Sequence, residues 1–384
     1  MLKWINIDCG IITENASIIR KALKPGVKFT AVVKANGYGH GAAESAAAAV
    51  RGGADRLAVL TAEEGAALRS RFPDTDIMLL APSLPEEADF IVHNRLVPCA
   101  CSHEFLEALN KSAKKTAGAA AAAGSIFEKS QNKYPYTIEI DSGMGRWGIS
   151  PEDFFSFLCD ALKHKNLYLS GTGTHIGYKP PQNMTYTGEK LKIFSRLSEE
   201  ASKKAGRHIE ACAANSSVFC DFPGSQFDAV RLGNLLYGIY PTDVYRKRRQ
   251  GPPLPGLKRP WQFYARIIAL RNVKKGEKFG YNAEFTASKD MRLAAIPSGY
   301  SDGLTMEPTE YQIRLSAGFR YWGIINGHRA YFAGKPGISH TLLDVTDIPE
   351  ANIGTAVALH VRRTSANILI PRVYTGLSEK SANS

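Results

Sequence analysis

The chain has no apolar run long enough to cross a membrane, and its opening residues, MLKWINIDCG, carry no hydrophobic core of secretory-signal length. Membrane insertion and export are therefore not expected. The six cysteines, at 9, 99, 101, 159, 212 and 220, make no CxxC pair and no zinc-binding spacing. Free thiols in a reducing cytoplasm, with no disulfide frame and no metal, are the expectation. Acidic residues are outnumbered, 36 Asp and Glu against 48 Lys and Arg, giving a net charge of +12. Yet the densest basic run is only Arg246-Lys247-Arg248-Arg249, and neither a basic arm nor a recognition motif goes with it. Nucleic acid is accordingly not an expected partner. A positive field around an anionic cofactor or substrate is the milder reading of the charge.

With 384 residues the chain is long enough for a large core and for two domains. The first two-thirds alternate short apolar runs with helical patterns. The runs are KFTAVV, RLAVLT, DIMLLA, LVPCA, YTIEID, LYLSGTGTH, IEACAA and FDAVRLG. Between them lie segments of helical period such as TAEEGAALRSRF, SHEFLEALNKS, PEDFFSFLCDALKH and GEKLKIFSRLSEEASKKAG. Strands alternating with helices give a parallel sheet, and eight is the number that closes a barrel. A doubly wound open sheet has the same alternation, and counting alone leaves both open. Near Tyr240-Pro241 the texture changes to the linker-like RKRRQGPPLPGLKRP, and strand patterns follow without helices between them, YQIRLSAG and YWGIINGHRAYFAG among them. The low-complexity stretch from Ala113 to Lys133 reads as an inserted loop or helix.

The candidate chemistry gathers at the ends of the predicted strands. The first ends on Lys34 and collapses into glycines, in VVKANGYGHG; YTIEID runs into SGMGRWG with Arg146; LYLSGTGTH ends on His175. IEACAA is followed by Asn215 and Ser216, and FDAV by Arg231, Leu232, Gly233 and Asn234. Each has an ordinary alternative: a surface lysine, a plain turn, a structural histidine, an arginine paired inside a barrel. Together, one lysine, two arginines, a histidine and glycine-rich turns suit an anionic, phosphate-bearing ligand that forms an imine with the lysine.

These segments resemble the alanine racemase family. The matching stretches are AVVKANGYGHG, DSGMGRWGIS, THI, AANSS, VRLGNLLYGIYP, GEKFGYNAEFTA, IPSGYSDGL, INGHRA and LLDVTD, in the family's order. The resemblance implies an α/β fold with an N-terminal (β/α)8 TIM-type barrel at 11–242, and a mostly-β domain at 243–384 joined by 1–10. It implies pyridoxal 5'-phosphate as cofactor, alanine as substrate, a cytoplasmic enzyme supplying D-alanine for peptidoglycan, and a homodimer with shared active sites. Lys34 then carries the cofactor through an imine and serves one face of the substrate carbon, and Tyr281 serves the other. Tyr38, Ser216 and the backbones of Gly233 and Asn234 hold the phosphate, with Asn215 beside them. Arg231 faces the pyridine nitrogen, His175 supports Tyr281, and Arg146 meets the cofactor's phenolic oxygen and the substrate carboxylate. Tyr281 and Tyr300 come from the partner subunit, Tyr300 lining the entrance.

Three places depart from the family pattern. The lysine, often carbamylated, that orients the arginine of DSGMGR is here Glu139, whose carboxylate is expected to serve Arg146 directly. The usual Met-Asp pair is replaced by Ile338 and Ser339, leaving the Ile338 backbone N–H to bind a carboxylate. The tail after TAVALHVRR lacks the tyrosine that adds a phosphate contact. A racemase for another small amino acid such as serine, a decarboxylase of the same architecture, and a carrier or degenerate member that keeps only cofactor binding stay open at this point.

Overall fold

The computed structural model describes residues 1–120, 133–241, 251–280, 283, 285–304, 321–361 and 363–376. Strand β1 (Lys3–Asp8) comes first, then the helix Cys9–Ala22, then eight parallel strands that close a barrel. These are β2 (Lys28–Val32), β3 (Arg56–Val59), β4 (Ile77–Pro82), β5 (Val97–Ala100), β6 (Tyr134–Glu139), β7 (Leu167–Gly173), β8 (Glu210–Ala214) and β9 (Ala229–Leu232). Closure comes from β2 pairing with β9, Lys28 opposite Ala229 and Ala31 opposite Leu232. Helices such as Ala42–Arg51, Ala62–Arg69 and Met184–Ala205 return the chain between strands. With helices outside and packed side chains inside, the strands are covered on both faces; Phe29, Ala31, Leu57, Val59 and Ile138 are fully buried. The helix predicted at SHEFLEALNKS runs His103–Ala120 and so takes in the start of the low-complexity stretch; the rest of that stretch lies outside the described residues.

The two ends of the barrel differ in what their charges do. At the strand starts, Lys28 of β2 and Arg56 of β3 both close on Glu210 of β8, at 2.7 and 2.6 Å, an arrangement that satisfies itself. At the strand ends three cations, Lys34, Arg146 and Arg231, stand with His175 and Glu139, and they make the candidate site.

The chain divides into two compact units. One comprises Gly10–Gly37 and Gly41–Arg259 and holds the barrel; the other comprises Met1–Cys9, Tyr38–His40 and Pro260–Ser384. The second unit is built on a nine-stranded sheet in which β1 lies between Trp261–Arg266, antiparallel to it, and Arg372–Thr375, parallel to it. Every other neighbouring pair in that sheet is antiparallel. A small cluster of Val273, Phe279, Ala287, Met291, Leu293 and Ala333 packs one end of it. The strand predicted at YQIRLSAG lies outside the described residues. Among the described residues no helix is long and apolar enough to cross a membrane.

Candidate active site

Strand β2 ends in a left-handed turn. Ala35, Asn36 and Gly37 adopt φ/ψ near 52/52, 52/51 and 61/39, and Tyr38 follows at φ 54. Only glycine takes that region readily, so the three side-chain-bearing residues are held there at a cost. Three contacts supply the hold. Gly37 N–H donates to Val33 O at 2.8 Å, Ala42 N–H to Asn36 Oδ1 at 3.0 Å, and Ala35 N–H to the Glu64 carboxylate. Glu64 also accepts from Leu60 N–H at 2.7 Å, and its own N–H rests on the Thr61 hydroxyl that caps the helix Ala62–Arg69. Sequence reasoning missed Glu64; the Thr-x-x-Glu spacing of a helix start was the available signal. Gly37 has no room for a side chain, since a Cβ would fall 2.8 Å from Ser45 Oγ.

Lys34 sits at the head of this turn, half-buried. Burial lowers its pKa from the ordinary lysine value; Arg146 and Arg231 add to the fall and Glu64 opposes it. A lysine so placed holds a larger fraction of neutral, nucleophilic amine. His175 stands among the same three cations. Burial first, then Arg231, Arg146 and Lys34, push its pKa down to about 3, so it is neutral at physiological pH. The structure thus brings Lys34, Arg146, His175 and Arg231 within reach of one another's charge.

Glu139 differs from expectation. Its two oxygens accept from Arg231 Nη1 and Nη2 at 2.9 and 3.0 Å, and Arg231 Nη2 also donates to Thr174 O at 2.7 Å. The carboxylate's hydrogen bonds therefore go to Arg231, and Arg146 feels only its charge. The reason is geometric: β6 and β9 are separated by β7 and β8, and the fork spans the barrel interior, where Gly173 leaves just enough space. A Cβ on Gly173 would stand 2.5 Å from Glu139 Oε2. Burial works against the charge on Arg231, and the facing carboxylate overrides it, holding the guanidinium above its ordinary pKa.

Arg146 is carried on a closed loop. Asp141 Oδ1 accepts from the N–H groups of Gly143, Met144 and Gly145 at 3.0, 2.8 and 3.1 Å. The loop then returns, Ile149 N–H to Glu139 O at 2.8 Å and Asp141 N–H to Ile149 O at 2.9 Å. Gly148 permits that approach, because a Cβ there would meet Asp141 N at 2.8 Å. The Arg146 guanidinium lies over the Trp147 ring, 3.6 Å from its centroid. Asn215 is engaged by the fold itself. Its Oδ1 caps the helix Ser216–Asp221 through Ser217 and Val218 N–H, and its Nδ2 donates to Ile176 O at 2.8 Å. It sets the position of Ser216, whose Oγ accepts from Leu235 N–H at 3.4 Å, just past Gly233 and Asn234.

In the other unit, the Arg363 guanidinium stands 5.5 Å from the Tyr38 ring centroid, and burial raises the Tyr38 pKa with Arg363 partly opposing. Tyr300 and Ile338 meet there too. Tyr300 N–H donates to Gly337 O at 3.0 Å, and Ser301 donates to Ile338 O through its N–H and hydroxyl at 3.0 and 2.6 Å. Tyr281 lies outside the described residues. Among the described residues no group of three or more His, Cys, Asp or Glu could hold a metal ion.

Two family models match the chain: the alanine racemase N-terminal domain over residues 7–241 and the alanine racemase C-terminal domain over 261–376. An alanine racemase of Desulfovibrio desulfuricans is 30% identical over 93% of this chain and 88% of its own. One of Geobacillus kaustophilus is 28% identical over 96% and 88%. Among solved structures, alanine racemase of Clostridium difficile 630 matches with a TM-score of 0.84 at 22% identity, covering 98% of this chain and 96% of that one. That likeness bears on the fold. The Bacillus anthracis alanine racemase solved with bound L-Ala-P matches at 0.79 and 25% identity, over 98% and 96%. On both domains and nearly its whole length, the chain belongs to the alanine racemase family.

Proposed function

We propose that the protein is a pyridoxal-phosphate-dependent racemase that interconverts L- and D-alanine. The observation that carries this reading is Lys34: an amine at a strand end, its pKa lowered, flanked by two guanidiniums and a neutral histidine. The donor set fits the cofactor, since a primary amine, a serine hydroxyl at Ser216 and the cationic mouth match its aldehyde, its phosphate and its negative charge. When bound, pyridoxal phosphate supplies an electron sink that makes the substrate's α-hydrogen acidic.

The rest of the work falls to the chain's own residues. Lys34 Nζ binds the cofactor covalently and moves a proton on one face of the α-carbon; Tyr281 Oη moves one on the other. Arg231 keeps its protons and offers only N–H donors to the ring nitrogen, so it cannot take a proton from it. Arg146 receives the substrate carboxylate and the phenolic oxygen. Tyr38, Ser216, Gly233 and Asn234 are assigned to the phosphate, Tyr300 to the substrate entrance and the Ile338 N–H to the substrate carboxylate. Tyr281 and Tyr300 are supplied by a second copy of the chain, which makes the enzyme a homodimer. A cytoplasmic role supplying D-alanine to peptidoglycan completes the reading.

The test is α-proton exchange. L-Alanine incubated in D2O with the cofactor-loaded protein is followed by NMR and chiral separation, and deuterated D-alanine is expected. A protein that binds cofactor yet exchanges nothing on alanine, while exchanging serine, would move the assignment to the serine-directed alternative. Lys34→Ala is expected to abolish all exchange.

A further inference from the structure

Of Arg146 and Arg231, only Arg231 is held by a carboxylate among the described residues. Among the described residues the Arg146 guanidinium makes no ion pair, and it lies over the Trp147 ring. The two carboxylates whose charge it feels are both engaged. Glu139 is forked onto Arg231 through both oxygens, and Asp141 Oδ1 is taken by three backbone N–H groups. The indole itself is costly here, because its Nε1–H is buried and meets no acceptor within the described protein. Leucine would fill the space without stranding a donor. What tryptophan adds is a flat, electron-rich face. The closed loop from Asp141 to Ile149 fixes that face directly beneath the arginine.

We propose that Trp147 is the positioning residue for Arg146: it holds the guanidinium by stacking instead of by an ion pair, and so tunes the site for ligands bearing a free carboxylate. A carboxylate partner would fix the arginine as firmly, but would occupy its N–H donors and cancel its charge. Stacking does neither. The guanidinium's N–H donors, unpaired with any acid among the described residues, stay available to an incoming carboxylate. The inference rests on the assignment of Arg146 to the substrate carboxylate given above.

The test uses two halves of alanine as probes on the cofactor-loaded protein, with binding read by calorimetry so that no turnover is needed. Propionate keeps the carboxylate and lacks the amine; ethylamine keeps the amine and lacks the carboxylate. Trp147→Leu is expected to weaken propionate about tenfold, and Trp147→Phe, which retains a ring face, by less than about threefold. Ethylamine affinity is expected to stay level across all three proteins, and KM for alanine to rise more than kcat falls. Propionate binding unchanged in Trp147→Leu would overturn the inference. So would equal losses in Leu and Phe variants, a parallel loss of ethylamine, or a wild type that takes propionate no better than Arg146→Gln. A wild type that shows the expected propionate series but never racemises alanine would strike the proposed function and leave the role of Trp147 standing.

Discussion

His175 is neutral where an ordinary histidine would be half charged near pH 6.5, because burial and three cations hold its pKa down to about 3. The sign of the linkage follows. Between those two values the unfolded chain binds a proton that the folded one refuses, so stability is full above pH 6.5 and falls as pH drops toward 3. The loss is roughly 1.4 kcal/mol per pH unit within that window. His175→Gln should therefore lose less melting temperature than wild type between pH 7 and pH 5, read by calorimetry in matched buffers. Glu139 gives a prediction of opposite character. Removing its charge leaves Arg231 buried and unpaired, so Glu139→Gln is expected to cost about 3–5 kcal/mol in denaturant unfolding. The Glu139→Gln/Arg231→Gln pair, which strands no charge, should recover most of that loss.

At the scale of elements, the turn after β2 depends on a residue 29 positions beyond Ala35. Glu64 supplies one oxygen to Ala35 N–H and the other to Leu60 N–H, linking the exits of β2 and β3. Glutamine has only one acceptor oxygen to offer, so Glu64→Gln should destabilise the protein by about 1–2 kcal/mol. It should also weaken cofactor binding, measured by fluorescence titration, since Lys34 heads the turn. The strand ends that carry Lys34, Arg146, His175 and Arg231 were legible because each apolar run breaks abruptly into polar and glycine residues. The left-handed turn was not, because local preference disfavours a run of such residues at φ above zero, and one of the contacts that hold it comes from Glu64, far along the chain. The partner of Glu139 was hidden for a related reason. Strands β6 and β9 are not neighbours in the sheet, and nothing in the spacing of their residues says which arginine closure brings across the barrel.

At the scale of the whole molecule, the proposed sharing of active sites between two copies gives a decisive experiment. Lys34→Ala and Tyr281→Phe subunits are each expected to be nearly inactive alone. If a site takes Lys34 from one copy and Tyr281 from the other, a hybrid dimer has one site with both defects and one with neither. Random reassembly of equal amounts should then restore about a quarter of wild-type racemisation. Sites complete within one chain would restore nothing. The texture of the sequence changes after Tyr240, whereas the barrel-bearing unit runs on to Arg259, and the placing of Tyr38–His40 in the second unit has no compositional signal in three residues.

Strand β1 pairs on one side with Trp261–Arg266 and on the other with Arg372–Thr375, and Ile5 N–H donates to Pro371 O at 2.9 Å. During synthesis the two units therefore mature on different clocks. The barrel sheet has every strand it needs once Leu232 has left the ribosome. Strand β1 must meanwhile wait with both edges open until Trp261–Arg266 is made, and with one edge open until Arg372–Thr375 follows, an interval in which it is exposed to mispairing.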